Sequence, residues 1–125
     1  MTRIDSFWFV SNAKTLSFEN AYVARINEEI GGVKSLLEVL SKTLNLPAYF
    51  GFNWNALSEC LRDLHWIEEK KVFIVHEYLP KLSANEMTNY LEVLHEAVID
   101  WKPGDEHALE IVFEESKRNY IRSLI

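Results

Sequence analysis

The sequence predicts an α/β domain in which a small three-stranded parallel sheet is packed with three to four helices. Three short segments rich in β-branched or aromatic residues, at 21–26, 71–76 and 108–113, favour strands. Longer segments with apolar residues at helical spacing lie between them. Strands separated by helices usually run parallel and are joined by right-handed crossovers, so the alternation predicts one parallel sheet.

Length and composition favour a single domain. The chain has 125 residues, of which 48% are apolar, and a chain of this size builds a core without metals or disulfides. No repeat, low-complexity tract or Pro/Gly linker interrupts it, so we expect one domain over residues 1–125. Cys60 is the only cysteine, which excludes an internal disulfide and a multi-cysteine zinc site.

The first half of the chain predicts two strands and a helix. Residues 6–10 favour a strand, which would add an edge to the sheet or form a loose hairpin with the strand at 21–26. The polar segment 11–20 between them is turn-like. After the Gly31-Gly32 break, leucines at helical spacing predict a helix over 33–45.

The second half predicts two further helices and a docked tail. A helix over 54–65 follows Asn53, a residue type that favours the N-cap position. A helix over 84–101 begins at the capping-box spacing of Ser83 and Glu86. The tail 115–125 has apolar residues at roughly helical spacing and favours a short docked helix.

The helix predicted at 54–65 has two different sides. At 100° per residue, Trp54, Leu57, Leu61 and Leu64 fall on one apolar stripe, and Cys60 lies at its edge. The opposite side carries Asn55, Glu59, Arg62, Asp63 and Trp66. The sequence therefore predicts a core-facing stripe and a polar outer side.

The net charge of −6 limits the classes of partner. It disfavours a general nucleic-acid binder and an anionic membrane surface, both of which require basic residues. It suits a basic partner. Residues 59–115 carry 14 acids and five bases, which indicates either an ordinary solvated surface or an acidic patch for a basic protein. The positions of these acids in the fold decide between the two.

Targeting and catalytic motifs are not recognisable. Residues 1–10 do not resemble a signal peptide, and no apolar run approaches the length of a membrane span, so we expect a cytoplasmic protein. The chain has no phosphate-binding loop, nucleophile elbow or metal-binding histidine spacing, so we expect no cofactor and no metal. His76 is interpreted as a hydrogen-bonded core histidine and His107 as a surface loop residue.

The segment LPAYFGFNWNALSECL at residues 46–61 is the most informative in the chain. It places four aromatics and a glycine in the approach to a helix, and a turn rarely buries four large rings at once. One or two of them should be exposed beside Asn55 and Glu59, which is the composition of an interface hot spot. The segment closely resembles the barstar family, whose typical run is LP-x-YYG-x-N-x-DAL-x-DCL.

The resemblance covers residues 21–114 and leaves an N-terminal extension, 1–20, and a C-terminal tail, 115–125. Barstar-family proteins are intracellular inhibitors of secreted guanyl-specific ribonucleases such as barnase. The resemblance implies a barstar-like fold, a helix and preceding loop that plug the ribonuclease active site, and acidic side chains that replace the RNA phosphates. We expect a protein that is monomeric when free and is not an enzyme.

The resemblance also implies a partner-binding surface. Its residues would be Tyr49, Gly51, Asn53, Asn55, Ser58, Glu59 and Glu96. Asp63 has no match in the motif and is added because it shares the predicted outer side of Glu59. The family's central aspartate is Glu59 here, a second aspartate is Asn55, and an aromatic of its best-known member is Ser58. These departures favour a different or modified nuclease over barnase itself.

Two other functions remain open at this stage. The first is an interaction module for a partner that is not a nuclease. The second is an enzyme that uses Glu59, Asp63 and Glu96 as acid/base groups, which the absence of a phosphate loop, metal set or nucleophile disfavours. A gene for a small basic toxin next to this one would favour the inhibitor.

Overall fold

The computed structural model describes residues 3–125, which form one four-stranded parallel sheet with helices on one face. The strands are β1 (Trp8–Val10), β2 (Ala21–Ile26), β3 (Lys71–His76) and β4 (Ala108–Glu114), in the order β1-β4-β3-β2. The three predicted strands and their parallel pairing are confirmed. The sheet has four strands rather than three because the N-terminal segment supplies the additional edge strand.

The alternative of a loose N-terminal hairpin is wrong. β1 pairs with β4, with Trp8 opposite Val112, and so lies at the edge farthest from β2. The physical reason is the aromatic content of this segment. Phe7 and Phe9 both pack against Phe113 of β4, with ring centroids 5.4 and 6.0 Å apart.

The helices are α1 (Val33–Thr43), α2 (Trp54–Leu61), α3 (Ala84–Asp100) and α4 (Arg118–Leu124). The predicted capping box at Ser83 and Glu86 starts α3. α4 confirms the docked tail helix, since its Ile121 is fully buried. α2 is shorter than the predicted 54–65, and the chain turns at Leu64, which has a left-handed φ of 52°.

All four helices contribute to one core on the same face of the sheet. Fully buried side chains from the helices, including Leu57, Leu91 and Ile121, pack with Ile74 and Ile111 of the central strands. α2 packs mainly on α3, and its residues Asn55 and Glu59 are exposed. One side of α2 is therefore free to form a surface.

The second face of the sheet is covered by residues 11–20, which we call the N-terminal strap. Ala13 of the strap is buried with Phe73, Val75 and Val112 of the sheet. Phe18 of the strap stacks on Phe73, with ring centroids 3.8 Å apart. The strap thus closes a small second core that is separate from the helix-side core.

Polar contacts hold the strap to the sheet. Arg25 of β2 donates to the carbonyl oxygens of Ala13, at 3.1 Å, and of Leu16, and it pairs with Glu77 at 3.3 Å. The backbone N–H of Ala13 donates to Glu114 at 3.1 Å. The strap is therefore anchored by charged side chains of the sheet as well as by its few apolar residues.

The two histidine predictions have different outcomes. His76 is buried, with Nδ1 3.0 Å from the Val112 carbonyl and Nε2 2.7 Å from the Tyr90 hydroxyl, which confirms a hydrogen-bonded core histidine. The surface prediction for His107 is wrong. His107 is buried because it packs edge-on against Trp101, and its Nδ1 lies 2.9 Å from the Glu69 carbonyl.

No helix within residues 3–125 is long and apolar enough to cross a membrane.

Candidate functional site

The candidate site begins where the loop at 46–53 enters α2. Asn53 is the N-cap, as predicted: its Oδ1 accepts from the backbone N–H of Ala56 at 2.8 Å, and its Nδ2 donates to the Gly51 carbonyl at 3.3 Å. These bonds fix the loop against the first turn of the helix. The Asn53 side chain thus has a structural role, and its contact with a partner stays a prediction.

The four aromatics of this segment divide as predicted into buried and exposed rings. Phe50 is buried and Trp54 is half-buried, with its ring centroid 5.9 Å from that of Tyr90 in the core. Tyr49 and Phe52 are 68% and 52% exposed. Two large rings therefore project from the loop that precedes α2.

Phe52 has a left-handed backbone conformation, with φ of 52°. A side chain with a Cβ is strained in this region, and such strain is concentrated at binding and catalytic sites. The Phe52 ring contacts that of Phe50, at a centroid distance of 4.8 Å, while more than half of it faces solvent. Phe52 therefore joins the candidate site, although the sequence did not single it out.

Gly51 lies in the loop between the exposed residues Tyr49 and Phe52. A Cβ added there would be 3.4 Å from Asn53 Nδ2 and 3.6 Å from the Cβ of Ala56, which is ordinary contact. The fold itself thus accommodates a small side chain at this position. A requirement for glycine would have to come from the close approach of a partner.

α2 separates a buried side from a polar side. Leu57, Cys60 and Leu61 are buried, as the predicted stripe requires. Asn55 and Glu59 are exposed on the other side, and Asn55 Nδ2 lies 3.4 Å from Glu59 Oε1. Ser58 is half-buried between the two sides.

Tyr49 lies close to the carboxylates that follow along α2. Desolvation raises the pKa of Tyr49, and so do the charge of Asp63, a hydrogen bond with Asp63 and the charge of Glu59. Desolvation and the same two carboxylates raise the pKa of the Cys60 thiol. The Tyr49 phenol is therefore close enough to Asp63 and Glu59 for their charges to act on it, so the loop and the distal end of α2 belong to one surface.

Asp63 lies on this surface although it is not part of α2, so the helical wheel does not apply to it. α2 ends at Leu61, so Asp63 lies in the following turn, exposed and with Oδ2 2.8 Å from His65 Nδ1. The prediction that Trp66 faces outward is wrong for the same reason. Beyond the helix end the chain turns, and the half-buried Trp66 donates from Nε1 to the Leu44 carbonyl at 2.9 Å.

Glu96 of α3 is brought to the same surface by Arg62. Arg62 is the C-cap of α2, and its Nη2 lies 3.2 Å from Glu96 Oε2. The two side chains are 40% and 55% exposed. The helical wheel predicts Arg62 on the outer side of the helix. Arg62 is not among the predicted site residues, because the resemblance does not imply a cation there.

The other acids of residues 59–115 are spread over the molecule. Glu77 and Glu92 pair with Arg25 and Arg3, and Glu110 accepts from the Trp8 indole. Glu86 caps α3, and Asp105 accepts from the backbone N–H of Lys102. Glu114 of β4 accepts from the backbone N–H of Ala13 in the strap. Several of the 14 acids thus have structural partners elsewhere, so part of the acidic excess is ordinary surface and structural charge.

Among residues 3–125, no cluster of three or more His, Cys, Asp or Glu side chains is arranged to hold a metal ion. The surface carries exposed rings, an amide, three carboxylates and one guanidinium. We call the surface formed by Tyr49, Gly51, Phe52, Asn55, Ser58, Glu59, Arg62, Asp63 and Glu96 the α2 face.

Fold and site together define a small parallel α/β domain with an exposed surface of aromatic and acidic side chains. The family model described as Barstar (barnase inhibitor) matches residues 21–116, and the chain belongs to this family. The match includes the whole α2 face and begins at the first residue of β2, so β1 and the strap lie outside it. Neither the curated proteins nor the solved structures include a significant match.

Proposed function

We propose that this protein is an inhibitor, or immunity protein, that binds a basic ribonuclease and blocks its active site with the α2 face. The observation that carries the proposal is the convergence of exposed rings and carboxylates on α2, the loop before it and α3, inside the barstar match. Exposed aromatics beside charge are typical of interface hot spots. The proposal places the protein in the cytoplasm, where it would protect a cell from the nuclease.

Glu59 is the proposed anchor of this interface. It is exposed on the side of α2 away from Leu57 and Leu61, so the free fold has little need of its side chain. Among the cations of a nuclease active site, its carboxylate would form charge-assisted hydrogen bonds of the kind an RNA phosphate forms. Glu59 accepts from the Asn55 amide at 3.4 Å, a long and exposed hydrogen bond that is easily exchanged for one to a partner.

The enzyme alternative has less support. Barstar-family proteins are inhibitors rather than enzymes. Glu59, Asp63 and Glu96 are exposed, whereas acid/base catalysts are usually tuned by burial in a cleft. The remaining alternative, a partner that is not a nuclease, would use the same face.

The test is inhibition of a panel of basic barnase-type ribonucleases, followed by Glu59→Ala against the nuclease that is inhibited. Loss of one member of a buried charge pair typically costs about 2–5 kcal/mol, so Glu59→Ala should weaken inhibition by roughly 30-fold or more. Its free energy of unfolding should change by less than about 1 kcal/mol. Inhibition should be titrated against RNA cleavage and stability measured by urea denaturation.

Glu38→Ala is the matched control, because Glu38 is an exposed helical glutamate on α1 and is not one of the residues of the α2 face. It removes the same charge and should leave inhibition unchanged. Absence of inhibition across the panel would contradict the proposed function. Equal weakening by both variants would show that net charge, rather than the α2 face, drives binding.

A further inference from the structure

The α2 face contains one cation among the anions that the proposed function uses. Arg62 lies one turn after Glu59 along the chain and contacts Glu96 of α3, with the two charged groups 3.2 Å apart. It is the only arginine or lysine among the residues that define the α2 face. The formal charge of the face is therefore −2, less negative by one than the −3 of its three carboxylates alone.

Fold stability gives little reason for this cation. Exposed ion pairs contribute little to stability, and both partners here are substantially solvent-exposed. A cation at a helix C-terminus adds only a small further stabilisation. By contrast, a like charge placed opposite a partner's cation suppresses association strongly, and this kind of repulsion gives interfaces their specificity.

We propose that Arg62 is a specificity-determining residue of the α2 face, which disfavours nucleases that would place a cation on Glu96 and favours those that present a carboxylate there. This inference rests on the proposed function. A partner's arginine or lysine that approaches Glu96 meets the Arg62 guanidinium already bound to that carboxylate. It must displace Arg62 or remain next to it, and both raise the free energy of the complex.

A partner with a carboxylate at this place has the opposite effect. Arg62 can donate to Glu96 and to a second carboxylate at the same time, because a guanidinium has five N–H donors in a planar fork. The Arg62–Glu96 pair then becomes part of a network across the interface. The matching nuclease is therefore basic at its centre, opposite Glu59, and acidic at the edge that meets the end of α2.

The test uses barnase as the basic probe and compares the wild type with Arg62→Ala, Arg62→Lys and Arg122→Ala. Arg62→Ala should bind barnase at least about tenfold more tightly than the wild type, because it removes the repulsion and frees Glu96. Arg62→Lys keeps the charge and should bind like the wild type. Arg122→Ala, on the exposed side of α4, removes the same charge elsewhere and should change the dissociation constant little.

Dissociation constants from calorimetry and thermal melts of the free variants decide the result. Equal or weaker barnase binding by Arg62→Ala, including no detectable binding by any variant, would overturn the inference. A gain shared by Arg122→Ala would also overturn it, since net charge alone would then explain the effect. Glu59→Ala, measured separately beside Arg62→Ala, distinguishes the two proposals. If Glu59→Ala weakens binding while Arg62→Ala changes nothing, the inhibitor proposal stands and only the role of Arg62 is lost.

Discussion

The two faces of the sheet are covered by very different layers. On one face, four helices build a continuous core that includes the buried His76–Tyr90 hydrogen bond. On the other, the strap buries Ala13, stacks Phe18 on the sheet and depends on Arg25 for much of its attachment. Three of the four helices, α1, α2 and α3, lie inside the family match, whereas α4 follows it and the strap precedes it.

The strap, which adds stability on one face of the sheet, is thus separate from the α2 face, which is the proposed recognition surface. The α2 face is the outer surface of the helix layer, so its polar side chains rest on a core that is already complete beneath them. The strap lies on the far face of the sheet and contributes no residue to the α2 face. Changes in the strap should therefore alter the free energy of unfolding and leave recognition intact.

The largest expected effect in this comparison comes from His76 in the helix-side core. Burial lowers the pKa of His76 from 6.5 to about 4, against a smaller opposing effect of its bond to the Val112 carbonyl. The unfolded chain therefore takes up a proton before the folded one does. The stabilising contribution is present above pH 6.5 and is lost as the pH falls towards 4.

Between pH 7 and pH 4.5 this histidine should remove about 2 kcal/mol from the free energy of unfolding. Urea denaturation at the two pH values measures the loss. His76→Gln supplies the control: it should be less stable than the wild type at pH 7 and should show a pH difference smaller by about 2 kcal/mol. An unchanged pH difference in this variant would mean that other groups cause the acid sensitivity.

The second effect concerns the strap. Phe18 is half-buried and stacked on Phe73, so Phe18→Ala should lower the free energy of unfolding by about 1–2 kcal/mol, less than a fully buried Phe→Ala change. Nuclease inhibition by the α2 face should stay within about twofold of the wild type. Denaturation and the inhibition titration are the two measurements. A loss of inhibition larger than the loss of folded protein would connect the strap to the site.

The third comparison is between the two Arg–Glu pairs, and it includes the smallest expected effect, that of Arg62→Ala. Arg25 and Glu77 are 27% and 13% exposed, and Arg25 also holds two strap carbonyls, so Arg25→Ala should cost about 1–3 kcal/mol. Arg62→Ala removes only an exposed pair and should cost less than about 1 kcal/mol. Chemical denaturation of both variants checks the order. The reverse order would mean that Arg62 is structural.

Local patterns in the sequence were sufficient for the regular elements. The four consecutive apolar residues in 71–76 predicted a central strand, and β3 is the strand between β2 and β4. The Ser83–Glu86 spacing predicted the start of α3. Such signals are read correctly because each depends on residues a few positions apart, whose contacts form in any context that permits the element.

The sequence alone determined the element order, the parallel sheet, the two sides of α2 and the exposure of some loop aromatics, because these follow from short-range periodicity and composition. Tertiary structure decided the rest. It paired β1 with β4 instead of β2, buried His107 against Trp101, ended α2 at Leu61 and placed Arg62 on Glu96. Each of these depends on contacts between residues far apart in the chain or on the turn that ends a helix, and neither is encoded in a local pattern.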